Sequence, residues 1–252
     1  MAWNSSGRSN SELVRNMHRG GLIRSEKVLQ AFLAVDRGNF VPRDKREHAY
    51  QDEPIHSAPF HLSAPHMYAT VLEALELSEG MSFLNVGSGS GYLSFLVARI
   101  VGQAVNHGIE QHKELVEHDS SRCAEVPELR DMNHIRFRWG DAFKVDYDSE
   151  QRYDRIYIGA GCQMNAVVIF KIMLSVGGML IAPLEDELVS FTRVEESVYV
   201  TKVITNVRFQ PLAEPETRLL KFEKRIDLNK PQEENVLVTN ASGISISRSI
   251  RV

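Results

Sequence analysis

The first residues with a chemical signal are the glycine-rich turn 87–91, Gly-Ser-Gly-Ser-Gly, which stands between an apolar run and a helical pattern. Glycines let a backbone pass close to a ligand, and the following helix N-terminus faces that ligand. Glu110 ends the next predicted strand about 20 residues later, where a carboxylate can accept hydrogen bonds from both ribose hydroxyls. Asp141 ends the third predicted strand and could reach an adenine edge. Each feature alone is also compatible with an ordinary turn or a solvated strand end.

Together these residues indicate one class of cofactor. The spacing Gly87, Gly89, Gly91 is tighter than the Gly-x-Gly-x-x-Gly of dinucleotide-binding proteins, and no Gly-Lys-Ser/Thr follows to hold a triphosphate. The pattern resembles S-adenosylmethionine-dependent methyltransferases, whose cofactor has no pyrophosphate. We therefore expect S-adenosyl-L-methionine as the cofactor.

A second group of chemical residues lies in segment 60–67, Phe-His-Leu-Ser-Ala-Pro-His-Met. Ser63 could be a functional hydroxyl, or it could cap the helix that begins after it. His56, His61 and His66 stand five residues apart, which fits no standard metal-ligand spacing, so we expect no metal. A serine beside histidines also suggests a hydrolase, but the Gly-x-Ser-x-Gly turn is absent around Ser63.

The elements that must position these residues alternate along the chain. The predicted order is strand 82–86, helix 92–101, a strand ending at 110, helix 113–124, a strand near 135–137, strand 153–158, helix 166–175 and strand 178–182. Alternating strands and helices are typical of a parallel, doubly wound α/β sheet. Stretches 188–194 and 198–208 predict an antiparallel hairpin added to that sheet.

The remaining segments complete the predicted organisation. A capping box at 9–12 and the glycines at 20–21 delimit a first helix, and a second begins near Ser25. Residues 36–65 have no periodic pattern and are rich in Pro, His and aromatic residues, which favours a functional loop. We expect residues 1–65 (helices and loop) to belong to the same domain as the methyltransferase region 66–212. Residues 213–252 should form a polar, weakly structured tail.

Composition excludes several classes of function. The chain has 29 basic and 33 acidic residues and a net charge of −4, which argues against a protein whose main task is to bind nucleic acid. Its two cysteines, Cys123 and Cys162, cannot form a disulfide framework. No signal sequence or uninterrupted apolar span is evident, so we expect a soluble, cytoplasmic protein without membrane partners.

Several phrases resemble the protein-L-isoaspartate O-methyltransferase family over roughly residues 1–212. The most specific is the serine loop 62–67, Leu-Ser-Ala-Pro-His-Met, which in that family precedes the first cofactor strand. Segments 36–42, 84–92, 140–141, 153–156 and 177–183 extend the match. The resemblance implies a Rossmann-like class I methyltransferase fold. It also implies methyl transfer to the carboxylate of L-isoaspartyl and D-aspartyl residues in damaged proteins, which initiates their repair.

The resemblance further implies a role for each candidate residue. Ser63 would contact the substrate carboxylate as the catalytic residue. The other roles are a substrate channel formed by Phe60, His61, Leu62 and His66; a methionine site formed by Gly87, Ser88, Gly89 and Gly91; a ribose site formed by Glu110 and Gln111; and an adenine site formed by Asp141 and Ala142.

Some positions depart from the repair enzymes and match a sister group, the isoaspartate O-methyltransferase domain-containing proteins. Asn85 replaces an Asp, His61 replaces a Thr, and 159–163 reads Gly-Ala-Gly-Cys-Gln. The resemblance to this group leaves a second hypothesis, an S-adenosylmethionine-binding recognition module with little turnover, related to ubiquitin-ligase substrate adaptors. The tail after Leu212 shows no recognisable ligase-recruiting box, so ligase components as partners rest on family analogy alone.

Overall fold

The N-terminal region consists of helices that begin where the sequence predicts. The computed structural model describes residues 5–207 and 225–230, together with the backbone of two strands, 233–239 and 245–251. Helix α1 spans Asn10–Arg19 and helix α2 spans Glu26–Ala34. The hydroxyl of Ser9 caps α1 by accepting a hydrogen bond from the backbone N–H of Glu12 at 3.3 Å.

The segment 36–65 has more regular structure than its sequence indicates. It contains two short 3₁₀ helices, Arg37–Phe40 and Arg43–His48, and a hairpin of strands β1 (Ile55–Ser57) and β2 (Phe60–Leu62). Elements this short give no readable hydrophobic period, which explains why the sequence did not predict them. Helix α3, Pro65–Leu75, follows directly.

Seven strands form the central sheet, and helices α4 to α6 connect its parallel strands. In chain order the elements are β3 (Phe83–Val86), α4 (Tyr92–Val101), β4 (Asn106–Glu110), α5 (Lys113–Glu125), β5 (Arg136–Trp139), β6 (Tyr153–Ile158), α6 (Met164–Ile172), β7 (Leu174–Leu184), β8 (Glu187–Glu195) and β9 (Val198–Asn206). The sheet order is β5-β4-β3-β6-β7-β8-β9. The first five strands in this order pair in parallel, and the β7–β8 and β8–β9 pairs are antiparallel. The predicted α/β fold with a C-terminal hairpin is confirmed.

This topology determines where a ligand can bind. The chain leaves β3 toward β4 and β5 and later returns to the other side of β3 through β6, which creates a topological switch point. Ligands of open α/β sheets bind in the crevice beyond the carboxyl ends of the strands at such a point. The glycine-rich turn follows β3 at this edge, and Glu110 ends the neighbouring β4.

The tail is more structured than we expected in the part that the structure describes. The segment 225–230 docks on the sheet domain through a parallel bridge between Ile226 and Val145, and Leu228 is buried in the core beside α6 and β6. Strands β10 (Glu233–Thr239) and β11 (Ser245–Arg251) pair antiparallel. Two apolar residues among charged neighbours are too weak a pattern to predict this docking from sequence. The rest of the predicted tail lies outside the described residues.

Buried apolar side chains form two clusters. One cluster contains buried residues of the five helices α1, α2, α3, α4 and α5. The other contains buried residues of α6, β3, β6, β7 and β8, together with Leu228. None of the helices in the described residues has the length and apolar character needed to cross a membrane.

Candidate active site

A cleft that is open to solvent, with an enclosed volume of about 170 Å³, lies at the carboxyl edge of the sheet. Its lining brings together most of the residues singled out by the sequence: His61, Ser63, Gly87, Ser88, Gly89, Glu110, Gln111, Asp141 and Ala142. The serine loop and the glycine-rich turn meet inside it. A β-carbon added to Gly89 would lie 3.3 Å from the carbonyl oxygen of His61. The tertiary structure therefore joins both predicted groups of chemical residues in one site.

The glycine-rich turn is held by the carboxylate of Glu110. Gly89 has a φ of +57°, a conformation that favours glycine. Its backbone N–H donates to Oε2 of Glu110 at 2.9 Å, and the N–H of His112 donates to Oε1 at 3.1 Å. Glu110 is itself buried. The carboxylate thus fixes the turn while lying at the end of β4, within the cleft.

Asp141 lines the cleft two residues after the end of β5. Its Oδ1 accepts a hydrogen bond from the N–H of Phe143 at 2.9 Å and so caps the 3₁₀ helix Ala142–Lys144. The docked tail lies directly behind this segment, because the N–H of Ile226 donates to the carbonyl of Lys144 at 2.7 Å. The position of Asp141 therefore depends on a contact between segments that are distant in sequence.

The backbone of Ser63 is fixed on both sides. Its N–H donates to the hydroxyl of Tyr68 at 3.2 Å, and its carbonyl accepts from Nη1 of Arg37 at 2.9 Å. Arg37 is completely buried, and burial lowers the pKa of its guanidinium. Helix α3 has Ala64 at its N-cap position and no side-chain cap, so Ser63 does not cap it. Ser63 lines the cleft, and its hydroxyl contacts His61.

Two histidines, His61 and His56, form successive contacts that lead from the Ser63 hydroxyl to the protein surface. Nε2 of His61 lies 3.3 Å from Oγ of Ser63, and its Nδ1 lies 2.8 Å from Nδ1 of His56. His56 and His61 are a cross-strand pair of the β1–β2 hairpin, which places both rings on one face. Burial, together with the neighbouring His56 and Arg37, lowers the pKa of His61 to about 4. His61 is therefore neutral near pH 7.

Four residues predicted for the site lie beside the cleft rather than in its lining. Phe60 and Leu62 point into the core. His66 pairs with Asp52, with Nδ1 2.9 Å from Oδ1. Gly91 begins α4 behind the turn, where an added β-carbon would lie 2.9 Å from Cγ of the buried Asp119. These four residues are neighbours of lining residues in the sequence but do not line the cleft themselves.

The cleft also contains residues that sequence reasoning did not assign to it. They are Pro59, Tyr68, Asn85, Leu93, Ile109, His112, Leu115, Gly140, Tyr157, Gly159 and Ala160. A signal existed for Asn85 and Tyr157, because both lie near the carboxyl ends of parallel strands, where ligands bind. Tyr68 stands on the first turn of α3, and nothing in its sequence context shows that it reaches the cleft.

The charges in the cleft fit a positively charged cofactor. Among the described residues that line it, Glu110 and Asp141 are acidic and none is Lys or Arg, so the lining supplies no Lys or Arg side chain to pair with a pyrophosphate. Oγ of Ser88 is buried and has no hydrogen-bond partner among the described residues, which leaves it available to a ligand. The features fit S-adenosyl-L-methionine, a nucleoside with a sulfonium. In the described part of the chain, no three His, Cys, Asp or Glu side chains are arranged to hold a metal ion.

Comparisons with known proteins agree on one family. The sequence model of the protein-L-isoaspartate(D-aspartate) O-methyltransferase family matches residues 8–217. A protein-L-isoaspartate O-methyltransferase of Ignicoccus hospitalis is 35% identical over 212 residues, covering 81% of this chain and 97% of the relative. One of Thermococcus sibiricus is 40% identical over 172 residues, covering 68% of this chain and 75% of the relative.

The fold comparison points the same way. A beta-aspartate methyltransferase from Plasmodium falciparum, solved in complex with S-adenosyl-L-homocysteine, superposes with a TM-score of 0.71 and 26% identity. The match covers 82% of this chain and 99% of that structure. The segment 225–230 lies beyond the part of the chain that the family model matches.

Proposed function

The chain belongs to the protein-L-isoaspartate(D-aspartate) O-methyltransferase family, and from this premise we propose that it methylates isoaspartyl residues of damaged proteins. The methyl donor is S-adenosyl-L-methionine, and the acceptor is the abnormal carboxylate of an L-isoaspartyl or D-aspartyl residue. The observation that carries this proposal is the contact of the serine loop with the glycine-rich turn, since Gly89 packs against the carbonyl of His61 in one cleft.

The residues of the cleft divide between the two ligands. Glu110 and Gln111 would hold the ribose, Asp141 and Ala142 the adenine, and the turn 87–91 the methionine part. Ser63 would bind the substrate carboxylate. The carboxyl ends of β3 to β5 support this division, because these groups follow successive neighbouring strands along the cleft.

The reaction places modest demands on these side chains. When bound, S-adenosyl-L-methionine supplies a methyl group on a positively charged sulfur. The isoaspartyl carboxylate is ionised near pH 7 and is already a nucleophile, so no strong general base is required. Transfer forms a C–O bond, breaks a C–S bond and neutralises both charges. Alignment and exclusion of water by the chain therefore provide most of the effect.

Ser63 serves alignment in this scheme. An ionised carboxylate only accepts hydrogen bonds, so the Ser63 hydroxyl must donate to it. Arg37 and Tyr68 hold the backbone of Ser63 in place, which fixes the origin of that donor. A positioned donor of this kind adds to the rate without taking part in bond making or breaking.

The direct test is methyl transfer from labelled S-adenosylmethionine to an isoaspartyl peptide, with the matching aspartyl peptide as control. We expect turnover on the isoaspartyl peptide alone. Ser63→Ala should lower kcat/KM by about 100-fold, because misplacing a reacting group by a small distance can cost that much. Ser57→Ala, in the adjacent strand but not in the lining of the cleft, is the matched control.

The second candidate is a recognition module that binds the cofactor with little turnover. Two substitutions at the cleft, His61 and Asn85, favour it, since these positions differ from the repair enzymes that the sequence resembles. Calorimetric titration with S-adenosylmethionine tests the shared assumption, and Glu110→Ala should weaken that binding. Cofactor binding without turnover would favour the module, whereas an absence of binding would contradict both functions.

A further inference from the structure

Ser63, His61 and His56 form a continuous series of polar contacts that runs from the cleft to the surface. The two contacting atom pairs join two residues of the β1–β2 hairpin and the residue just after it. His56 is exposed, His61 is partly buried, and both His61 and Ser63 line the cleft. A linear series of this kind can have either of two directions, because each hydrogen bond needs one donor and one acceptor.

The direction decides what Ser63 can do. A hydroxyl has a single hydrogen, so if Ser63 donates to Nε2 of His61 it cannot also donate to a ligand. If Nε2 of His61 carries the hydrogen, it donates to Oγ of Ser63, and the serine hydrogen is left for the cleft. Only the second direction suits an acceptor such as a carboxylate.

The direction of the hydrogen bond between His61 and Ser63 also determines whether His56 is a donor or an acceptor. A neutral His61 that carries its hydrogen on Nε2 has an unprotonated Nδ1, which is an acceptor. Nδ1 of His56, at 2.8 Å, must then be the donor. Burial keeps the pKa of His61 at about 4, so this ring has one hydrogen near pH 7 and its two contacts cannot be independent of each other.

We propose that His61 and His56 are positioning residues for Ser63, arranged so that His56 donates to His61, His61 donates to Ser63, and the Ser63 hydroxyl points its hydrogen at the substrate carboxylate. This inference rests on the proposed function for the identity of the carboxylate. The direction of the hydrogen bonds is a property of the protein without substrate. The proposed arrangement involves no making or breaking of covalent bonds.

The direction can be measured directly on the free protein. Long-range proton–nitrogen NMR distinguishes the two neutral forms of a histidine ring. We expect His61 to carry its hydrogen on Nε2, and His56→Ala to increase the fraction that carries it on Nδ1. A His61 ring with its hydrogen on Nδ1 in the wild-type protein would overturn the proposal, whether or not the protein has methyltransferase activity.

Kinetics on an isoaspartyl peptide test the consequence. His61→Phe keeps a ring but removes the donor, and should raise KM for the peptide about tenfold, the equivalent of one hydrogen bond of about 1.4 kcal/mol. The Kd for S-adenosylmethionine should stay within about twofold by the same scale. His61→Gln, whose amide N–H can replace Nε2–H, should restore most of the loss. Equal KM values for Phe and Gln would contradict a donor role.

A double-mutant cycle separates positioning from packing. His56→Ala should raise KM by a few-fold alone and by nothing further in the His61→Phe background, because His56 acts only through His61. Additive effects would mean that His56 acts on the substrate independently. His48→Ala, a histidine outside the cleft lining, is the control for general effects of losing a histidine. Absence of turnover in the wild-type protein would contradict the proposed function and leave the NMR result to decide the direction.

Discussion

The side chain of Ile226 occupies the space that a β-carbon on Gly140 would need. Gly140 lines the cleft next to Asp141, and its φ of +154° is outside the range preferred by other residues. The backbone of Ile226 also bridges this segment, donating to Lys144 and accepting from the N–H of Asp146 at 2.9 Å. A residue from the end of the chain therefore supports the wall of the cleft that we assign to adenine.

Ile226→Ala should weaken binding of S-adenosylmethionine about tenfold, a loss of about 1.4 kcal/mol. The smaller side chain leaves a gap behind Gly140, so the segment that carries Asp141 is less well fixed. Titration calorimetry measures the effect, and Lys230→Ala, an exposed change in the same segment, is the control. An Ile226→Ala protein with wild-type affinity would show that the docked tail does not support the site.

Glu110→Gln should lower the affinity for S-adenosylmethionine by about 10- to 100-fold, because hydrogen bonds to charged groups are worth about 1.5–3 kcal/mol. The amide keeps one acceptor and replaces the other with a donor, so it cannot accept from both Gly89 and His112. Glu114→Gln, in the first turn of α5, is the matched control. Unchanged affinity would mean that Glu110 holds neither the turn nor the cofactor.

The pair of Asp52 and His66 should make stability depend on pH within a definite window. The hydrogen bond to Asp52 raises the pKa of His66 above 6.5, against the effect of burial. Burial would raise the pKa of Asp52, but the side-chain and backbone hydrogen bonds from His66 outweigh it and hold that pKa below 3.8. The contribution of His66 is full below pH 6.5 and is lost as pH rises through its folded pKa. The contribution of Asp52 is full above pH 3.8 and is lost as pH falls through its folded pKa.

His66→Ala should therefore cost most between about pH 4 and 6.5, by about 0.5 kcal/mol, since His66 is half-exposed and its ion pair is screened by solvent. The free energy of unfolding in urea, measured at pH 5 and pH 9 for both proteins, tests this. The loss caused by the substitution should be smaller at pH 9. A loss that is the same at both pH values would exclude a titrating pair.

Asp119→Asn should stabilise the protein at alkaline pH. Burial raises the pKa of Asp119 well above 3.8, against the attraction of Arg122, and neither carboxyl oxygen has a hydrogen-bond partner among the described residues. The unfolded chain releases this proton at lower pH than the fold does, so wild-type stability falls as pH rises above 3.8.

The amide has nearly the same shape and no proton to lose. The Asn variant should therefore be nearly as stable as the wild type at pH 4 and more stable than it at pH 8, with a difference that grows as the pH rises. Chemical denaturation across this range measures the difference. If the difference in free energy of unfolding between the two proteins did not grow with pH, Asp119 would be ionised in the folded protein and its charge would be compensated by a partner.

Much of the site could be predicted from the sequence because the order of strands and helices along the chain is regular. Residues that directly follow successive parallel strands must meet at one edge, so Gly89, Glu110 and Asp141 could be assigned to a single cleft. Ser63 required the family resemblance, since a serine in an aperiodic loop has no period to place it. Arg37 was part of a recognised phrase, but its burial beneath the carbonyl of Ser63 follows only from the packed chain.

The directions of the side chains in short elements were not predictable. In the three-residue strand β2, successive side chains point to opposite faces. Phe60 and Leu62 therefore point to the core, and His61 points to the cleft. Which face is which depends on the pairing with β1. Tyr68 reaches the cleft because α3 begins there, and no spacing in the sequence shows that.

The sequence by itself determined the fold class, the cofactor edge of the sheet and the family, because these depend on local hydrophobic periods and on short motifs. Only the tertiary structure decided the contacts that prepare the site: His56 against His61, Arg37 against Ser63 and Ile226 against Gly140. His56 meets His61 across the short β1–β2 hairpin, whereas the other two contacts join distant segments whose proximity results from packing the whole core. Their geometry follows from the burial of many side chains at once, and no single stretch of sequence specifies it.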